Sequence, residues 1–206
     1  MSETIIRAIR LALSSLLAVA LLAALAIGMS RNEVSIVDFF SFFSVPSNAL
    51  AVIALGMVAV RPRLISSRSF NVFRGGVTVY MSVTALLYAV LLLAKGIDAG
   101  STEPWVDWSL HVIGPVAMVL DWLLDRPTVS IQQSAVGIWL TLPALYLGYT
   151  LIRGPIVDWY PYPFLDPAEM GGSVNLAIWL GAGLVVIVGL GYIYHWWANH
   201  GIEESA

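Results

Sequence analysis

Apolar residues come in long runs separated by short polar stretches, and the runs predict the architecture. Leu11 to Met29 is almost wholly apolar, long enough to cross a bilayer at ~1.5 Å per residue. Five more runs follow, with Phe39, Phe40, Phe42 and Phe43 placing the start of the second one early. Ser101-Thr102-Glu103-Pro104 marks the start of the fourth, with capping residues and a proline near the first turn. The pattern predicts an all-α polytopic integral membrane protein. Residues 1–206 would form a single six-helix transmembrane domain, with spans at about 11–29, 37–60, 75–94, 105–124, 134–152 and 173–196. Arg7 and Arg10 ahead of the first run, with Ala24-Leu25-Ala26 inside it, have the look of a cleavable leader. The run exceeds the usual core of about 7–15 residues, so a retained first helix is expected.

Composition narrows this further. The chain is 59% hydrophobic and 11% charged with a mean hydropathy of +0.83, which excludes an ordinary soluble domain. A net charge of −3 gives no reason to expect nucleic acid as a partner. Without cysteine there is no thiolate chemistry, and three histidines leave little for a metal or haem. No cofactor and no metal is expected. Arg7, Arg10, Arg61, Arg63, Arg68, Arg74 and Arg126 fall on the side of the N-terminus, against Arg31, Lys95 and Arg153 on the other. This bias places both termini in the cytoplasm. Trp105, Trp108 and Trp159 then anchor the outer interface, and Trp196 and Trp197 the inner one. Ala177 and Gly181 form a small-xxx-small pair that predicts close helix packing.

The candidate chemistry lies where polar residues interrupt the apolar runs. SLHVIGPVAMVLDWLL, residues 109–124, carries His111, Pro115 and Asp121, and ionisable groups at such positions are functional candidates. Pro115 cannot donate to the carbonyl of His111, nor Pro46 to that of Phe42, so a kink is expected beside each. Ser44 in the second run and His111 in the fourth lie at similar depth, about 10 Å below the outer interface at the helical rise. Ser44 and Asn48 are four apart, as are Asp107 and His111, so each pair shares a helix face. A hydroxyl, a base, a group to orient the base and an oxyanion donor are the parts of nucleophilic catalysis. The same residues also suit hydrogen bonding between helices. TLIRGPIVDWYPYPFLDP, residues 150–167, supplies Arg153, Asp158, Tyr160, Tyr162 and Asp166 on the same side and predicts a lid. Arg153 is placed to take a substrate carboxylate or to pair with Asp158 or Asp166. Asp121, ten residues beyond His111, is expected to pair with Arg126, and His195 and His200 lie at the cytoplasmic end.

SFFSVPSN, LHVIGPVAMVLDWLL and YTLIRGPIVDWYPYPFLDP together resemble the bacterial six-helix branch of the androgen-induced-gene family of membrane hydrolases. That resemblance implies cleavage of fatty-acid esters of hydroxy fatty acids by an intramembrane threonine and a histidine. The histidine carries over to His111. The threonine falls on the second helix, where this chain has Ser44, with Ser41 and Ser47 as the other matches. Such a protein would sit in a bacterial inner membrane. The expected function is therefore a lipid ester hydrolase with Ser44 as nucleophile and His111 as base. Asp107 and Asn48 would support them, and Arg153, Tyr160 and Tyr162 would bind a lipid or fatty-acyl ester. The rival expectation is a non-catalytic lipid-binding or transport protein using the same polar pocket.

Overall fold

A computed structural model describes residues 2–95 and 103–200, apart from the side chains of residues 91–95, and these residues are helical with no strand among them. The helices are α1 (Glu3–Ser30), α2 (Ile36–Phe40), α3 (Ser44–Val60), α4 (Arg68–Lys95), α5 (Pro104–Trp108), α6 (Gly114–Leu124), α7 (Ser134–Trp139), α8 (Thr141–Val157) and α9 (Ser173–Asn199). A single π turn, Ser109–Ile113, joins α5 to α6, and α7 meets α8 at Leu140. Five rods, α1, α4, α5–α6, α7–α8 and α9, are long and apolar enough to cross a membrane. α3 is a shorter apolar helix of 17 residues.

Neighbouring rods alternate in direction, as contacts at the two ends of the bundle require. At the near end Arg7 Nε of α1 donates to the carbonyl of Ala59 at 2.9 Å, and Asn199 of α9 accepts from the Ile131 amide at 2.9 Å. At the far end Arg31 pairs with Glu103 at 2.9 Å and Arg153 with Asp38 at 2.5 Å. The flank between is apolar: Leu22, Leu145, Ile152, Ile156, Ile178 and Val185 are all exposed. An apolar belt of that extent needs a hydrocarbon solvent rather than water.

Two cores hold the rods together. Ala20, Ala24, Ala51 and Ala54 let α1 and α3 approach closely, with Leu17, Leu55, Val77, Met81 and Met118 filling in from three sides. The second core is aromatic, with Trp122, Trp139, Tyr80, Phe43, Tyr162 and Tyr194. There Trp139 packs against α4, its Nε1 donating to the Val72 carbonyl at 2.6 Å. A Cβ on Gly75 would fall 2.4 Å from that indole, so the approach depends on glycine.

The structure departs from the sequence pattern at three prolines, for one reason. The second apolar run is not a continuous helix from 37 to 60. It breaks at residues 41–43 and restarts at Ser44, putting Pro46 in the first turn, where a missing N–H costs little. The Val45 amide then takes up the Phe42 carbonyl at 3.1 Å. Pro143 likewise follows the break at Leu140 that divides the fifth run. Pro115 follows the π turn, in which the Gly114 amide reaches back to Ser109. α4 begins at Arg68, ahead of the expected residue 75, because Arg74 is buried rather than solvated. Glu103 caps α5 with Pro104 behind it; Ser101, Thr102 and the Lys95 side chain lie outside the described residues. Ala177 and Gly181 of α9 are exposed, with nothing within 4 Å of a Cβ on Gly181, so the expected small-residue packing is not made within this chain.

Asp121 does not pair with Arg126. It accepts from Arg10 at 2.7 Å and Arg74 at 3.0 Å, and Arg10 also reaches Asp125 at 2.5 Å. Arg74, fully buried, donates to the Asp125 carbonyl at 2.7 Å and lies 5.0 Å from the Trp122 ring centre. Two cations and two carboxylates thus cancel inside the near end and tie α1, α4 and α6 together. Arg126 instead covers Trp197 at 3.7 Å and donates to the His200 carbonyl.

Candidate active site

His111 sits in the π turn, one turn ahead of Pro115. Widening the helix there lets a side chain be re-aimed, and π turns concentrate at functional positions for that reason. Its Nδ1 lies 2.9 Å from Asp107 Oδ1 and 3.1 Å from the Asp107 carbonyl. Both partners are acceptors, so Nδ1 carries a proton and donates to them. Nε2 has no hydrogen-bond partner among the described residues. The four-residue spacing of Asp107 and His111 thus yields the pair that a carboxylate-oriented base needs.

Tyr88 of α4 completes the group and was not singled out from sequence. Its hydroxyl donates to Asp107 Oδ2, and its ring stacks on the imidazole at 4.8 Å with planes 6° apart. A signal existed: Tyr88 lies seven residues before the end of α4, and His111 seven after the start of α5, both counted from the far end. Within an aliphatic run, a tyrosine at the depth of a histidine is a candidate partner.

Ser44 opens α3. Asn48 donates from one Nδ2 both to the Ser44 carbonyl at 2.9 Å and to the Leu110 carbonyl at 3.0 Å. The first turn of α3 and the π turn are therefore pinned at one depth. That bridge uses both amide hydrogens, so Asn48 has no donor left for an oxyanion, and its Oδ1 is buried without a partner. Among the three serines, Ser41 bonds the Val37 carbonyl and Tyr149, and Ser47 bonds the Phe43 carbonyl. The Ser44 hydroxyl is the one not committed to a backbone carbonyl. No hydrogen bond joins Ser44 to His111 among the described residues.

The loop after α8 covers this position. Pro155 and a left-handed Asp158 (φ 52°) turn the chain back over the end of α8. Tyr160 lies on Gly154 so tightly that a Cβ there would fall 2.1 Å from its ring. Phe42 packs edge-on against both Trp159 and Tyr162. Tyr162 is buried beside the Ser44 hydroxyl and the Phe43–Ser44 backbone; burial pushes its phenol up to about 12 although those neighbours pull it down. It stays a protonated donor at neutral pH. Ser44 is 9% exposed beneath it.

Arg153 meets neither Asp158 nor Asp166. It pairs with Asp38 of α2, which also accepts from the Ser35 hydroxyl at 2.6 Å, and it stands 5.2 Å from the Trp159 ring. The Ser35 hydroxyl above all, and then Arg153, hold the Asp38 carboxyl below its usual value. A groove of about 390 Å³ lined by Val60, Arg61, Pro62, Arg63 and Leu64 opens at the near end, away from these groups. His195 is also at the near end, bonded to the Ile131 carbonyl and Asn199. No cluster of metal-ligating side chains occurs among the described residues.

No protein-family model, no curated protein and no solved structure matches the chain. Its geometry alone bears on what it does.

Proposed function

We propose that the chain is a membrane-embedded hydrolase of lipid esters, with Ser44 as nucleophile and His111 as general base. The observation that carries this is the Asp107–His111 pair, which holds Nδ1 and leaves Nε2 without a partner among the described residues, at the depth of a serine not committed to a backbone carbonyl. In this reading Nε2 takes the Ser44 proton as Oγ attacks the ester carbonyl carbon. The ester C–O bond breaks, the alcohol leaves with the proton from Nε2, and water returns the acyl group as a free acid. With Asn48 spent on two carbonyls, the protonated Tyr162 hydroxyl is the donor for the oxyanion. Arg153 receives a substrate carboxylate by exchange with Asp38, which suits fatty-acid esters of hydroxy fatty acids. Tyr160 and Tyr162 form the cover that excludes water. α2 and α3 together make a sixth crossing. Both termini lie in the cytoplasm of a bacterial cell, in its inner membrane, and the site opens to the outer leaflet.

A second reading, a non-catalytic lipid-binding or transport protein, is favoured by one observation: the Ser44 hydroxyl lies beside Tyr162 and is not bonded to His111. Hydrolysis of long-chain esters by the purified protein separates the two. Turnover by wild type that falls by about 10²–10⁴ in His111→Ala supports the enzyme. Ester that binds but is never cleaved supports the carrier.

A further inference from the structure

We propose that Tyr88 is a positioning residue for His111, acting through Asp107; its effect on rate rests on the hydrolase reading, its effect on the imidazole does not. A carboxylate opposite a single imidazole can turn about its terminal torsion and offer either oxygen. Here the two oxygens are divided. Oδ1 faces Nδ1, and Oδ2 is held by the Tyr88 hydroxyl from a different rod. A hydrogen bond to an ionised acceptor is among the stronger kinds, and this one lies in a poorly solvated place. Among the described residues no arginine or lysine pairs with Asp107, so its hydrogen-bonded supports are the imidazole and this phenol. The same tyrosine fixes the plane of the ring it serves, lying parallel to it at 4.8 Å.

The hydroxyl and the stack thus set two different variables. The hydroxyl sets which way the carboxylate faces, and the stack sets the tilt of the imidazole. Both are needed to aim Nε2, because a base displaced by a fraction of an ångström loses much of its rate. Tyr88 touches neither substrate nor a reacting atom, so it is not itself catalytic. It also makes the site a joint product of α4 and the α5–α6 rod, and movement between those rods would change the aim of the base.

The test uses full-length protein with ¹⁵N-labelled histidine in lipid nanodiscs, with His111→Gln identifying the His111 signals. Wild type is expected to give one sharp Nδ1–H resonance at His111. Tyr88→Phe keeps the ring and loses the hydroxyl. It is expected to split or broaden that resonance while the protein stays folded, and to lower kcat roughly 10-fold with KM unchanged. Tyr88→Leu, losing the stack as well, should go further. A Tyr88→Phe protein with the wild-type resonance, or with unchanged kcat in an active enzyme, overturns the assignment. A perturbed resonance in a protein whose wild type cleaves no ester leaves Tyr88 as the positioning residue and removes the hydrolase reading instead.

Discussion

Two polar clusters are built into this apolar bundle, one at each end, and they are organised in opposite ways. At the near end Arg10, Arg74, Asp121 and Asp125 form a closed set in which each charge faces its opposite. At the far end Asp107 has an imidazole and a phenol but no cation among the described residues, and His111 keeps one ring nitrogen unused. Burying ions is costly unless they are paired, and the near end offsets that cost with three ion pairs, although Arg74 Nε is left without a partner. Its pairs span three rods and join each arginine to a carboxylate. The far end holds a ring nitrogen without a partner among the described residues, at a widened helix turn, and Ser44 opens α3 at the same depth under a loop. A balanced cluster is scaffold; an unbalanced one at matched depth is where chemistry can occur.

The sharpest way to break this comparison is to unbalance the near end. Asp121→Ala leaves Arg10 and Arg74 with one carboxylate between them, and is expected to cost about 3–5 kcal/mol, as for a broken buried pair. Thermal unfolding in detergent measures it; a melting temperature equal to wild type would show that the network is not scaffold. A smaller effect is expected at the cover. Gly154→Ala would push Tyr160 off α8 and cost about 1–3 kcal/mol by overpacking. Protease sensitivity of the 158–166 loop should rise with it, whereas an unaltered digestion pattern would contradict the seating of Tyr160.

The smallest effect belongs to the Arg153–Asp38 pair, which is partly solvated. Its Asp38 carboxyl is lowered from 3.8, so the folded state binds its proton less readily than the unfolded one. The stability it adds is present above that value and is lost as pH falls through the lowered pKa. Its size is about 0.2–1 kcal/mol, as for exposed pairs. Melting curves of wild type and Asp38→Asn should differ at pH 6 and converge as the pH falls through the lowered Asp38 pKa. A gap that persists in acid would remove the ionised Asp38 carboxylate, held by Ser35 and Arg153, as its source.

Much of the architecture was legible because hydropathy is a local property. Long runs gave the rods, and the i, i+4 spacing gave the Asp107–His111 pair. Proline signalled kinks, but hydropathy did not say that Pro46 would restart a helix at Ser44 rather than bend one. Side-chain partners across the bundle were less accessible. Nearness in sequence pairs Asp121 with Arg126, whereas its partners lie 111 and 47 residues away. Arg10 and Arg74 count in the sequence only as topology signals, a count that does not say whether an arginine turns inward to a buried carboxylate. Tyr88 was hidden for the converse reason, since an amphipathic residue in an aliphatic run looks like core. Arg153 was likewise matched to carboxylates on its own loop and found Asp38 on another element.

The central claim is that the far-end cluster activates Ser44. It is tested most directly by treating the protein in nanodiscs with a long-chain fluorophosphonate and mapping the adduct by mass spectrometry. The account predicts phosphonylation of Ser44 in wild type, none in Ser44→Ala, and labelling slowed by about 10²–10⁴ in His111→Ala. Modification at Ser41 or Ser47, or labelling of Ser44 at the same rate without His111, would contradict it.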